Sequence, residues 1–205
     1  MALERAGPEN ECCICLEGLL SSGRQTLPCG HVLHVSCVIE MRRLGDSGRC
    51  PLCRTTSEDL TPVQVIVERA GSCWIRNSHE ECARLATQVL DIDPCNIDMI
   101  CMLSLLFFEG WGIERDVDSA FKLLAMKGAA INAKVLGITG QLHFKQHDLV
   151  QAEHLFSECR RLGDPQASAH LGMVSEHQRS WARCICCKGS LCTLSKAAMP
   201  RRRKS

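Results

Sequence analysis

The rhythm of apolar positions changes along the chain. Up to about residue 55 they follow no helical period and lie scattered among Cys, Gly and His. From residue 78 to about 177 they recur at three- and four-residue spacings, the mark of amphipathic helices. The segment between, 56–77, carries Pro62 and Gly71 around the short β-branched run 63–67 and reads as a connector. Residues 178–205 are Cys-rich and then basic, without amphipathic pattern, and read as a disordered tail.

The helical part can be followed residue by residue. Ser78 with Glu81 has the spacing of a capping box. Leu85, Val89 and Leu90 then share one helical face, and Asp93-Pro94 closes that helix. A second apolar helix ends at Gly110-Trp111-Gly112, and another starts near Asp116 with Ala120, Leu123 and Leu124. Gly128 precedes Leu136-Gly137 as Gly163 precedes Leu171-Gly172, an offset of 35 residues. A period of that length predicts helical hairpins stacked into a solenoid. The longest apolar stretch, 99–108, falls far short of the roughly 20 residues a membrane helix needs, so it is expected to be a buried helix and no membrane contact is expected.

Residues 85–103, centred on Asp91-Ile92-Asp93-Pro94, resemble the junction between two tetratricopeptide repeats. Residues 103–120, with Glu109-Gly110-Trp111-Gly112-Ile113 and Asp116, resemble a Sel-one-like repeat. The following copy departs from that pattern. It has Phe144-Lys145-Gln146-His147 in place of the Gly-x-Gly turn, but keeps Ala152 and Phe156.

The chain has 16 cysteines, which calls for either disulfides or metal. The N-terminal residues show neither an apolar core nor a cleavage site, so a reducing compartment is expected, with the ordered cysteines on metal. Eight potential ligands stand in four pairs: Cys12 and Cys15, Cys29 and His31, His34 and Cys37, Cys50 and Cys53. Zinc prefers four thiolate or imidazole ligands, so eight make two closed sites. A closed site is structural and leaves no position for activated water.

This order resembles the RING finger in its two-histidine form, and the plant homeodomain finger less well, because that family has cysteine where His31 stands. The resemblance implies interleaved sites: Cys12, Cys15, His34 and Cys37 on one zinc, Cys29, His31, Cys50 and Cys53 on the other. It implies a small zinc-bound α/β finger over 10–55, and the repeat pattern with its own resemblances adds an all-α helical-repeat solenoid over 78–177. It also implies a ubiquitin ligase that docks a ubiquitin-charged conjugating enzyme and forms no covalent intermediate. Ile14, Pro51 and Leu52 match the family's docking patch, and Arg54 matches the arginine that positions ubiquitin. Met41 stands where many members carry a docking tryptophan. Leu33 and Val38 fit either that patch or the core.

The net charge of +1, from 24 basic and 23 acidic residues, gives no basis for nucleic-acid binding. Cys13 lies between ligands but is not needed to complete either set. Cys73, Cys82, Cys95, Cys101 and Cys159 read as small hydrophobes or surface thiols; a thioester-forming role for Cys159 beside His154 is the weaker reading. Cys184, Cys186, Cys187 and Cys192, with His177 nearby, make an incomplete third ligand set. The run Arg201-Arg202-Arg203-Lys204 reads as a solvated tail or a nuclear import signal, so the cytoplasm is expected, with the nucleus as a second location. Two functions follow: a ligase whose repeats hold a protein substrate, or a non-catalytic adaptor of the same two parts.

Overall fold

A computed structural model describes residues 11–19, 23–45, 47–126 and 131–187, with side chains described as far as residue 180. Strands β1 (Arg24–Thr26) and β2 (Val32–His34) pair antiparallel, with Gln25 opposite Leu33. Eight helices follow among the described residues: α1 (Val35–Leu44), α2 (Val63–Ile75), α3 (His79–Ile92), α4 (Ile97–Glu109), α5 (Val117–Leu124), α6 (Ala133–Lys145), α7 (Leu149–Arg161) and α8 (Ala167–Cys187). The fold is thus a small α/β finger followed by an all-helical region. The chain divides into two compact units, Met1–Ala130 and Ile131–Ser205.

In the first unit the finger has a core of its own, formed by Leu19, Leu27, Leu33, Val38, Met41 and Leu60 around Cys12 and Cys50. Gly30, at φ +87°, lets the β1–β2 turn close, with its N–H donating to the Leu27 carbonyl. Helix α1 stops at Gly45, which takes the left-handed C-terminal position and donates to the Met41 carbonyl. Arg42 and Arg43 in its last turn complement the helix dipole.

A second core runs through α2, α3 and α4. Val63, Ile66, Ala70 and Cys73 of α2 pack with Leu85, Ala86 and Val89 of α3 and Met99, Leu103 and Leu106 of α4. Ile39 of α1 packs against this same core, and Arg42 Nε donates to the Thr61 carbonyl at 3.1 Å. The finger and α2–α5 therefore belong to one unit, and segment 56–77 is not a mere connector. Most of it is a helix, preceded by Pro62 at the N-cap position.

Local signals account for most helix ends. Asn96 accepts from the Met99 N–H at 3.3 Å and Asp116 from the Ser119 N–H at 3.0 Å. The Ser78–Glu81 capping box does not form. Ser78 makes no side-chain cap, and the Glu81 carboxylate is taken by Arg84, whose Nε donates to it at 2.8 Å. The turn Gly110–Gly112 needs its glycines. Both have positive φ, and a Cβ on Gly112 would run into the backbone of His79 and Glu80.

In the second unit α6 packs on α7 and α7 on α8. A Cβ on Gly140 would meet the Phe156 ring at 2.7 Å, so this glycine sets the close approach of α6 and α7. Phe156 in turn stacks on His170 of α8, centroids 4.8 Å apart. The paired glycines of the sequence repeat are not equivalent in space. Gly137 lies against Cys159 and Asp164, Gly172 faces open space, and Gly128 is outside the described residues. Helix α8 continues past residue 178, where the sequence pattern placed the start of a disordered tail, as far as Cys187. The side chains of Cys184, Cys186 and Cys187, the residue Cys192 and the basic run 201–204 lie outside the described residues.

Candidate zinc centres

Each zinc-binding pair comes from a short element that brings its two side chains close together. Cys12 and Cys15 sit on a tight knuckle. The Leu16 N–H donates to the Cys12 carbonyl at 2.8 Å, and the Cys12 N–H donates to the Glu17 carbonyl at 2.8 Å. Cys50 and Cys53 sit on a second knuckle of the same construction, with Arg54 N–H to the Cys50 carbonyl at 2.8 Å and Cys50 N–H to the Thr55 carbonyl at 2.9 Å. Both knuckles turn through a left-handed residue that is not glycine, Leu16 and Arg54, each at φ +61°. Such a backbone costs about 1–2 kcal/mol per residue.

His34 ends β2 at the N-cap position of α1. It makes no cap, because its ring is directed to the first site. Cys37, one turn into α1, returns to the same face. Cys29 and His31 come from the β1–β2 turn.

The eight residues gather into two sets. Cys12, Cys15, His34 and Cys37 form one, and Cys29, His31, Cys50 and Cys53 form the other, with the ligand atoms of each set all within 4.8 Å of one another. First and third pairs meet, as do second and fourth, so the interleaving expected from sequence is present. A tetrahedral zinc, with bonds of about 2.3 Å to sulfur and about 2.0 Å to nitrogen, holds neighbouring sulfur and nitrogen ligands about 3.5 Å apart. The observed approaches fit: Cys15 Sγ to His34 Nδ1 is 3.2 Å, Cys29 Sγ to His31 Nδ1 3.4 Å, and Cys50 Sγ to His31 Nδ1 3.5 Å. Both histidines thus present Nδ1. His34 Nε2 lies 3.3 Å from the Gly18 carbonyl, and donating to it fixes the tautomer and ring orientation a ligand needs. Sequence reasoning missed this support, because nothing marks a carbonyl partner in the residue string.

The thiols of the first site hold their protons unequally. Burial raises Cys12, but the backbone of His34, Ile14 and Cys15 and the Cys37 thiol outweigh it and bring Cys12 down to about 6. Burial, then Cys15 and Cys12, push Cys37 up to about 12. In the second site the Thr55 hydroxyl and backbone bring Cys53 down to about 6. Neighbouring thiolates repel, and a divalent cation removes that conflict. Protons compete with metal at every thiol, and below about pH 6 even Cys12 and Cys53 are protonated when free. Zinc content, followed by a chromogenic chelator, should therefore stay constant from about pH 8 to pH 7 and fall steeply below about pH 6. Zinc retained unchanged at about pH 4 would contradict thiolate ligation.

Residues 10–54 match the Ring finger domain family. That segment is a RING-type zinc finger in its two-histidine form. Similar curated proteins share this part alone. Alcohol-sensitive RING finger protein 1 of Eremothecium gossypii is 39% identical over 54 residues, 26% of this chain and 16% of that protein. An uncharacterized RING finger protein of Encephalitozoon cuniculi is 46% identical over 46 residues, 22% of this chain and 15% of that protein. E3 ubiquitin-protein ligase AIP2 of Arabidopsis thaliana is 42% identical over 53 residues, 25% of this chain and 16% of that protein. The chain thus spans about one sixth of the length of each of these relatives.

On the RING finger, Ile14 is 43% exposed and Leu52 54%, and Pro51 and Arg54 are also exposed. Met41 is different. It is only 8% exposed and packs inside the finger core with Val38 and Leu33, so most of its surface is spent on the core. It lies one turn beyond Cys37 on the inner face of α1, where a side chain fills the core. Cys13 belongs to neither ligand set. Cys159 is buried beneath the Ala133 carbonyl, 3.4 Å from its Sγ, and burial pushes its thiol up to about 11. That is the reverse of an activated nucleophile.

Proposed function

We propose that this chain is a RING-type ubiquitin ligase, in which the finger docks a ubiquitin-charged conjugating enzyme and the helical region holds a protein substrate. The reading rests chiefly on one observation: Ile14, Pro51 and Leu52 remain exposed on the two zinc knuckles, with Arg54 held at the left-handed turn of the second. An exposed apolar patch held by metal is a rigid contact surface that loses little entropy on binding. Arg54 carries a planar fork of donors able to reach carbonyls of two partners at once. The reaction needs no nucleophile from this chain. Attack by a substrate lysine on the enzyme–ubiquitin thioester is accelerated by restricting the thioester's freedom.

The helices α2–α5 and α6–α8 pack each on the next in sequence, which suits hairpins of the Sel-one-like kind and a broad face for a substrate. Among the described residues no helix is long and apolar enough to cross a membrane. A cytoplasmic site of action accompanies this reading, with the nucleus as a second location should the run 201–204 act as an import signal.

The adaptor reading draws on Met41, which stands where many members carry a docking tryptophan and is mostly buried in the finger core. The deciding measurement is self-ubiquitination of the full chain against a broad panel of conjugating enzymes. Transfer with at least one of them is expected. Inactivity with all of them, in protein carrying both zinc ions, would leave the adaptor.

A further inference from the structure

An open groove of about 910 Å³ lies at the head of α3, within the first unit. Its lining is part apolar, from Leu103 and Phe107 of α4 and Ile113 of the following turn. The rest is polar and charged, with Glu80, Glu81 and Arg84 of α3 supplying the charges. Gly112, pressed on the backbone of His79 and Glu80, ties the turn to the first residues of α3 and keeps the groove's two sides in register.

The charge of this region is one-sided. Arg84 is a cation of the lining, but both prongs of its guanidinium are spent on Glu81. Glu80 in the lining and Glu114 beside Ile113 have no ion-pair partner among the described residues. Arg115 is turned away from them: its Nε donates to the Phe108 carbonyl at 2.9 Å, and its guanidinium lies 5.7 Å from the centre of the Phe108 ring. Residues 78–126 carry nine carboxylates against three basic side chains, and seven of the nine carboxylates are exposed. Helix dipoles account for only part of this excess. Glu80, Glu81, Asp98 and Asp118 lie in first turns, where a carboxylate is favourable. Asp91 and Glu109 lie at helix C-terminal ends, where it is not.

We infer that this groove is a docking site for a basic segment of a partner protein. An apolar side chain of the segment sits among Leu103, Phe107 and Ile113, and its lysines or arginines lie against Glu80, with Glu81 beside it in the lining. Charge complementarity selects the segment and speeds its arrival, while the apolar contact holds it. The inference rests on the helical region being the substrate-holding part, and it gives that substrate a chemical class. Lysine, the acceptor in the proposed transfer, is among the residues so selected.

The test is fluorescence anisotropy on the full chain with a short labelled peptide of Leu, Lys and Arg, and with a counterpart in which Glu replaces every basic residue. The basic peptide should bind and the acidic one should not. Raising salt from about 0.05 M to about 0.5 M should weaken binding about tenfold. The double variant Glu80→Gln, Glu81→Gln should also lose about tenfold, with circular dichroism and zinc content unchanged, because both side chains line the groove and are exposed. Equal binding of the two peptides, or unchanged affinity in the double variant, overturns the assignment. So does a full chain with Arg201→Gln, Arg202→Gln, Arg203→Gln and Lys204→Gln that binds the peptide about tenfold more tightly, since the groove would then be filled by the chain's own terminus. The assay contains neither ubiquitin nor conjugating enzyme, so the groove and the ligase reading can fail separately.

Discussion

Replacing Cys50 with serine should empty the second zinc site and unfold the finger. Cys50 is fully buried, so it serves both as a ligand and as part of the finger's core. That core contains six aliphatic or thioether side chains besides cysteines, too few to hold the segment alone. A structural zinc supplies about 10–16 kcal/mol of apparent binding energy at neutral pH, which in so small a module is folding energy. Mass spectrometry under native conditions should find two zinc ions in the wild type and at most one in Cys50→Ser. Cys13→Ser is the matched control, since Cys13 is in neither ligand set, and it should keep both ions. A zinc lost from Cys13→Ser, with Cys12→Ser unaffected, would overturn the ligand assignment.

The second large effect concerns transfer. Ile14→Ala should reduce self-ubiquitination about a hundredfold with both zinc ions still bound. Ile14 is 43% exposed, so the fold does not depend on it, whereas a central apolar contact in an interface is worth about 2–4 kcal/mol. Arg54→Ala should act on a different step. Ubiquitin discharge to free lysine should slow more than binding of the conjugating enzyme weakens, because in the proposed role the arginine would position ubiquitin as well as touch the enzyme. Wild-type transfer rates in both variants would remove the knuckle surface from the mechanism and leave the finger as a docking module of another kind.

The zinc centres were legible in the sequence because ligand chemistry is carried by residue type and short spacing. Two residues between cysteines define a knuckle, and His34 with Cys37 spans one helical turn. What lay beyond spacing was less legible. Position 41 matches a docking position by its place in a family pattern, and the burial that Met41 shares with Val38 on the inner face of α1 is legible only from helical periodicity. Segment 56–77 was read through Pro62, Gly71 and its β-branched run. Proline at the N-cap position costs a helix nothing there, and Gly71 faces open space, so neither interrupts α2. The better signal was the spacing of Val63, Ile66, Ala70 and Cys73, which lie along one helical face and are all buried. Ser78 and Glu81 had the right spacing for a cap, but Arg84 three residues further on competes for the same carboxylate. The groove at the head of α3 was invisible beforehand, because it depends on which residues of α3, α4 and the Gly110–Gly112 turn meet in space.

The docking of α1 against the α2–α4 core through Ile39 has a practical consequence for dissecting this protein. A fragment ending at residue 77 would keep every zinc ligand yet bring the inner face of α2 into water, with Val63, Ile66, Ala70 and Cys73 no longer covered by α3 and α4. Four apolar side chains on a lone helix beside a small metal finger form a sticky surface of the kind that drives self-association. Silence from such a fragment in a transfer assay would report precipitation and carry no information about chemistry. A fragment running through α5 retains the partners of that face and keeps the finger in the unit to which it belongs.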